Sequence, residues 1–182
     1  MVGTIRRGTF THLGLITVVR LGGCAASLPL LDGRAASSAF TDTSGTRLGR
    51  ALATDMAAHP GKSGVHALSN PRDAFAARVV LAAAADKSLD VQYYIWHDDT
   101  AGYLLFEALW QAAERGVRVR LLLDDNNTAG TDPTLVALDL HPNIELRLYN
   151  PFVQRHARAL AFLTDFARLN RRMHNKSFTA DN

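Results

Sequence analysis

The feature that most constrains this chain is a repeated alternation of short apolar runs and amphipathic stretches that begins near residue 70. Leu89 to Trp96 is rich in Val, Tyr, Ile and Trp, which predicts a strand. Asp98, Asp99 and Thr100 follow as capping candidates for a helix whose apolar face carries Leu104, Leu105, Ala108, Leu109 and Ala112. Gly116 stands where a C-terminal glycine is wanted, and Val117 to Leu123 predicts a second strand. Strand, helix and strand at this spacing close as a right-handed crossover, so the two strands are expected to be parallel neighbours. The theme continues with a helix from about Thr134 to Leu140, a strand from Ile144 to Tyr149, a helix near Ala157 to Leu169 and a last strand from Arg171 onward. Upstream, Asn70-Pro71 opens another helix that runs to about Ala85. The fold class is α/β, a parallel-rich mixed sheet flanked by helices.

The 182 residues are 47% hydrophobic and 20% charged, which excludes a disordered chain and allows a real core. The formal charge of +3 favours anionic partners such as phospholipid headgroups or nucleic acid without choosing between them. A single cysteine, Cys24, excludes an intramolecular disulfide.

The position of Cys24 is more informative than its number. Arg6 and Arg7 precede a moderately apolar stretch from Phe10 to Leu21, and Leu21-Gly22-Gly23-Cys24 follows. This layout resembles a bacterial lipoprotein signal peptide, in which the cysteine becomes the lipidated first residue of the mature protein. His12 and Arg20 interrupt the apolar stretch, and a free buried cysteine is the plain alternative. A spanning helix needs about 20 apolar residues, so attachment through Cys24 is expected rather than a span. The expected location is the membrane of a bacterial cell envelope, with the cytoplasmic face of a membrane as the alternative. Residues 1–24 are thus expected to be the signal segment. Residues 25–63, rich in Ala, Ser, Thr and Gly, are expected to form a linker with little core of its own, although Arg47 to Ala58 is suited to a short helix.

The candidate chemistry lies near the end of the sequence. On an extended strand, His174 and Lys176 would share one face. Imidazole serves as a nucleophile or proton carrier near neutral pH, and a lysine beside it holds a phosphate oxygen by a charge-assisted hydrogen bond. Spacing alone does not distinguish this from an ordinary solvated face.

His174, Lys176 and Asp181 fit the HxKxxxxD motif, and the surrounding Asn170-Arg171-Arg172-Met173-His174-Asn175-Lys176-Ser177-Phe178 has the wording of cardiolipin synthase-like bacterial members of the phospholipase D superfamily. Gln92 to Asp99 and Gly116 to Asp125 resemble that family's first two strands, so the likeness covers roughly residues 64–182. The resemblance implies a phosphodiester exchange that uses no metal and no cofactor. One motif histidine, here His174, attacks phosphorus, and a partner motif's histidine protonates the departing alcohol. Lys176 would neutralise phosphate oxygens and Asp181 would support the hydrogen-bond network of the site. An anionic, phosphatidylglycerol-like phospholipid is the substrate implied, with nucleic acid disfavoured.

The sequence holds one such motif. His66, His97, His141 and His156 are not followed two residues later by lysine, so none opens a second copy. The expectation is the N-terminal half of a two-motif enzyme, its first domain at 64–182 incomplete after the first motif strand and inactive as this fragment. The second motif would come from a missing C-terminal half or a homodimer partner. A single-motif homodimeric nuclease and a non-catalytic, membrane-attached remnant are the alternatives. Asp124 and Asp125 end a strand where ligand sites of open α/β sheets collect, so they are candidates for the rim of the site, with a turn or cap role as the alternative. His97, Asp98 and Asp99 are too close in sequence to converge on a metal. Tyr93, Tyr94 and Trp96 are expected to be strand packing rather than a lipid-contact surface.

Overall fold

The structure, a computed structural model, describes residues 36–182. Cys24 and the rest of the expected signal segment therefore lie outside the described residues. In chain order the elements are α1 (Arg47–Ala58), α2 (Pro71–Ala84), β1 (Ser88–Tyr93), α3 (Thr100–Glu114), β2 (Arg118–Asp124), α4 (Asp132–Asp139), β3 (Ile144–Tyr149), α5 (Arg158–Leu169) and β4 (Ser177–Ala180).

Local chemistry sets most of these boundaries. Asn70 caps α2 by accepting from the Arg72 amide at 2.8 Å, with Pro71 in the first turn, where its missing N–H costs nothing. Asp99 caps α3 by accepting from the Gly102 amide at 2.9 Å. That helix stops at Gly116, whose φ of +89° is the left-handed conformation a C-terminal glycine supplies.

The sheet order is β3-β2-β1-β4. β1, β2 and β3 are parallel, with Val91 beside Leu121 and Leu121 beside Leu146, as two successive crossovers require. Along each strand alternate residues point into the core: Leu89 and Val91, then Val119, Leu121 and Leu123, then Ile144 and Leu146. They meet Leu105, Phe106, Leu109 and Ala112 of α3 and Ala82 of α2. Full burial of one such leucine contributes about 1.5–3 kcal/mol, so this layer is the main apolar contribution to holding the sheet on its helices. The opposite face carries Asp90, Gln92, Arg120, Leu122, Glu145 and Arg147 and lines an open groove of about 570 Å³.

Two expectations change here. The last strand begins at Ser177 rather than Arg171; it pairs antiparallel with β1, Leu89 beside Ala180 and Gln92 beside Ser177, which makes the sheet the parallel-rich mixed one expected. The direction follows from the path of the chain. Arg158 of α5 binds Asp125 after β2, and Arg168 binds Asn150 after β3, so the chain re-enters the sheet from the end where the parallel strands finish. The stretch expected to be a linker also has a more definite arrangement. α1 forms where it was expected and buries none of its residues. Residues 37–47 are nevertheless fastened to the sheet. Arg118 donates to the Ser38 carbonyl at 3.0 Å, its guanidinium lies 4.6 Å from the Phe40 ring centroid, and Arg47 pairs with Asp86 at 2.7 Å. Among the described residues no helix is long and apolar enough to cross a membrane.

Candidate active site

β1 and β2 end side by side, and the segment that carries His174 crosses their ends. This segment is irregular because its groups bond to side chains instead of to a strand ladder. Asp124, the last residue of β2, has a fully buried carboxylate that accepts from the Met173 amide at 2.8 Å and from Arg172 Nη1 at 3.1 Å. The same carboxylate accepts from the Asn126 amide at 2.9 Å and so closes the turn after the strand. The Arg172 guanidinium is itself 8% exposed and lies over the rings of Phe152 and Phe162, at 5.2 and 5.7 Å. Two residues on, Asn175 Nδ2 donates to Gln92 Oε1 at 2.8 Å, which fixes the segment to β1 as well.

His174, between these anchors, and Lys176, just after them, are both exposed. Strand alternation cannot pair them, since neither lies in a strand, yet they converge on one ring. The His174 imidazole lies 4.3 Å from the Tyr94 ring centroid at a tilt of 37°, and Lys176 Nζ lies 5.6 Å from the same centroid. Lys176 Nζ also approaches the His174 carbonyl at 3.4 Å. The site thus presents an imidazole, an ammonium and an aromatic surface at the end of β1, where the parallel strands finish.

Asp181 is not part of this group. It lies one residue past the end of β4, five residues or about 16 Å along the extended chain from Lys176. Its carboxylate accepts from the amides of Asp86, Lys87 and Ser88, at 2.7 to 3.2 Å. Those amides lead into β1, so Asp181 closes the start of the strand while its own amide donates to the Ser88 carbonyl at 2.8 Å. Its hydrogen bonds thus lie at the end of the β1–β4 pair opposite to His174. Its φ of +53° suits Asp, which tolerates the left-handed region better than most residues.

The two rim candidates differ. Asp124 supports the motif segment directly, in addition to its turn role. Asp125 is fully buried and faces away into an ion-pair cluster with Arg155, at 2.6 Å, and Arg158, at 3.4 Å, and it accepts from the Phe152 amide at 2.7 Å. Burial pushes the Arg158 guanidinium down, while its hydrogen bond to Asp132 pushes Arg155 up. This cluster ties α5 and the preceding loop to the end of β2. Among the described residues no three His, Cys, Asp or Glu side chains stand together as metal ligands, and Asp99 is occupied as the cap of α3.

Of the three aromatics read as packing, Trp96 is buried and stacks on Phe106, with centroids 4.4 Å apart, and Tyr93 packs against the core. Tyr94 departs from that expectation and belongs to the site. The signal was present in the alternation, because Gln92 and Tyr94 share the phase opposite to Leu89, Val91 and Tyr93. The support that Asp124 gives to Met173 carried no such signal, since it spans 49 residues.

Comparison with known proteins agrees with this architecture. The family described as "Cardiolipin synthase, PLD-like domain" matches residues 80–182. Cardiolipin synthase C of Escherichia coli K12 is 61% identical over 135 residues, covering 74% of this chain and 28% of that protein. An uncharacterized protein of Helicobacter pylori J99 is 33% identical over 175 residues, covering 93% of this chain and 34% of the relative. The chain thus spans about a third or less of the length of these curated relatives. Among solved structures, the archaeal chromatin protein TrmBL2 superposes at a TM-score of 0.39, with 17% identity over 58% of this chain and 42% of that one. NucT from Helicobacter pylori superposes at 0.34, with 26% identity over 43% and 47%. Neither likeness is close enough to bear on function. With the family matching more than half of the sequence over the sheet and its helices, the chain belongs to the cardiolipin synthase, phospholipase D-like domain family.

Proposed function

We propose that this chain supplies one half-site for phosphodiester hydrolysis or transfer on an anionic phospholipid through a phosphohistidine intermediate. The observation that carries this reading is the convergence of the exposed His174 and Lys176 on Tyr94 at the end of β1. The 61% identity to a protein named cardiolipin synthase C supports the lipid class.

In the proposed reaction an imidazole nitrogen of His174 attacks phosphorus, and the bond from phosphorus to the departing alcohol breaks. The alkoxide takes its proton from a second imidazole, which this chain's single motif does not provide. That group then accepts the proton of an incoming water or lipid hydroxyl as the phosphorus–histidine bond is cleaved, so protons and bonds balance over the two steps. Lys176 holds a non-bridging oxygen and offsets the charge that the transition state spreads over the phosphate. The second imidazole comes from the rest of a longer protein or from a second copy.

The test is to follow turnover of phosphatidylglycerol and of DNA by the chain, alone and within a protein of its relatives' length. The long form is expected to turn over the lipid and the chain alone to be close to silent. His174→Ala should abolish turnover, whereas Lys176→Ala should slow it. Lipid turnover that survives His174→Ala would refute the reading, and turnover confined to DNA would replace the lipid with a nucleic acid.

A further inference from the structure

We infer that Tyr94 is the positioning residue of the candidate site: its one phenol ring carries both His174 and Lys176 and sets how far apart the imidazole and the ammonium stand. The inference rests on the phosphate-site reading for its consequence but not for its geometry.

The motif segment is held independently of that ring, at the Met173 amide by Asp124 and through the Asn175 side chain by Gln92. The two reactive side chains are not. Apart from the 3.4 Å approach of Lys176 Nζ to the His174 carbonyl, their polar heads have no other hydrogen-bond partner among the described residues. A lysine on an open surface samples many rotamers, and an exposed imidazole is free to turn about its bonds to the backbone. The Tyr94 ring restricts both. An offset aromatic contact at 4.3 Å fixes the imidazole, and the negative face of the ring favours lysine rotamers that hold the ammonium near it at 5.6 Å.

Tyr94 is well placed for this role because it is itself fixed. It follows β1 by one residue, and its carbonyl accepts from Asn127 Nδ2 at 3.2 Å, a group in the turn that Asp124 closes. The ends of β1 and β2 therefore hold the ring and the motif segment in one frame. Moving the ring would move both motif groups together.

The test uses proton NMR of the chain. In the unmodified protein, cross-relaxation is expected from the Tyr94 ring protons to both the His174 imidazole and the Lys176 side chain, and its absence would overturn the inference without any variant. A ring-current displacement of the His174 imidazole signals should persist in Tyr94→Phe and disappear in Tyr94→Leu. With inorganic phosphate as the probe, Tyr94→Leu should weaken binding by about twofold to fivefold, the factor an exposed cation–π contact carries, while Tyr94→Phe should not. Unmoved imidazole signals in a Tyr94→Leu protein whose sheet amides are intact would refute the positioning role. Loss of the ring-current displacement together with no phosphate binding by the unmodified protein would leave Tyr94 as the positioning residue and remove the phosphate reading.

Discussion

Asp124→Ala should destabilise the protein far more than a typical surface change, and it should act on the motif. The carboxylate is fully buried and accepts three hydrogen bonds, from Met173 and Asn126 amides and from Arg172. Removing it leaves a guanidinium only 8% exposed without its counter-charge, and one nitrogen of that group, Nη2, already has no hydrogen-bond partner. Breaking a buried pair by deleting one member costs about 3–5 kcal/mol. A domain of this kind has about 5–15 kcal/mol in total. At about 2–4 °C per kcal/mol, the midpoint of thermal unfolding should fall by about 6–20 °C.

Urea and thermal unfolding followed by circular dichroism would measure the loss, and a double-mutant cycle would separate its causes. If the cost is the orphaned cation, Arg172→Leu combined with Asp124→Ala should be more stable than Asp124→Ala alone, because replacing both partners of a buried pair with apolar groups is often nearly neutral. Asp124→Asn keeps an acceptor but loses the charge, so it should fall between Asp124→Ala and the unmodified chain. A loss below about 1 kcal/mol for Asp124→Ala, in the range of an ordinary surface pair, would refute the view that Asp124 holds the motif segment. Additivity in the cycle would refute the coupling to Arg172.

Asp181→Gly keeps the positive φ but removes the acceptor of three amides, so it should lower stability by about 1–3 kcal/mol and speed hydrogen exchange at residues 86–88; unchanged protection there would contradict the tie. Lipid attachment through Cys24, expected from the layout of residues 6–24, predicts that Cys24→Ser abolishes membrane partition and blocks processing, and a variant that fractionates and is processed like the original would remove that expectation.

How far the sequence led depends on the range over which each residue acts. The β1-α3-β2 unit was legible because its causes are local: the Asp99 cap, the Gly116 stop and the apolar alternation all act within a turn or a strand. Strand Ile144–Tyr149 was legible for the same reason. The stretch 171–176 read as strand because nothing in it breaks an extended conformation. The Met173 amide that would have entered a ladder is instead taken by a carboxylate 49 residues away, an interaction no local pattern announces. The bonds from Asp181 to the amides of residues 86–88 are hidden by the same limitation, because they span more than 90 residues. The spacing of Asp181 from His174 is fixed in the motif, but the extended strand between them separates the two groups to opposite ends of the sheet edge. The motif spacing therefore encodes two tasks. His174 and Lys176 lie close enough in sequence to reach one ring, and Asp181 lies far enough along the strand to close the start of β1, the strand whose other end presents that ring. Register between β1 and β4 links the two ends. A slip of one residue in the pairing of Leu89 with Ala180 would turn β4's side chains to the wrong face and carry Lys176 and His174 off Tyr94. Asp181 does not touch the imidazole; its bonds to residues 86–88 fasten the start of β1 to the end of β4, where that register begins.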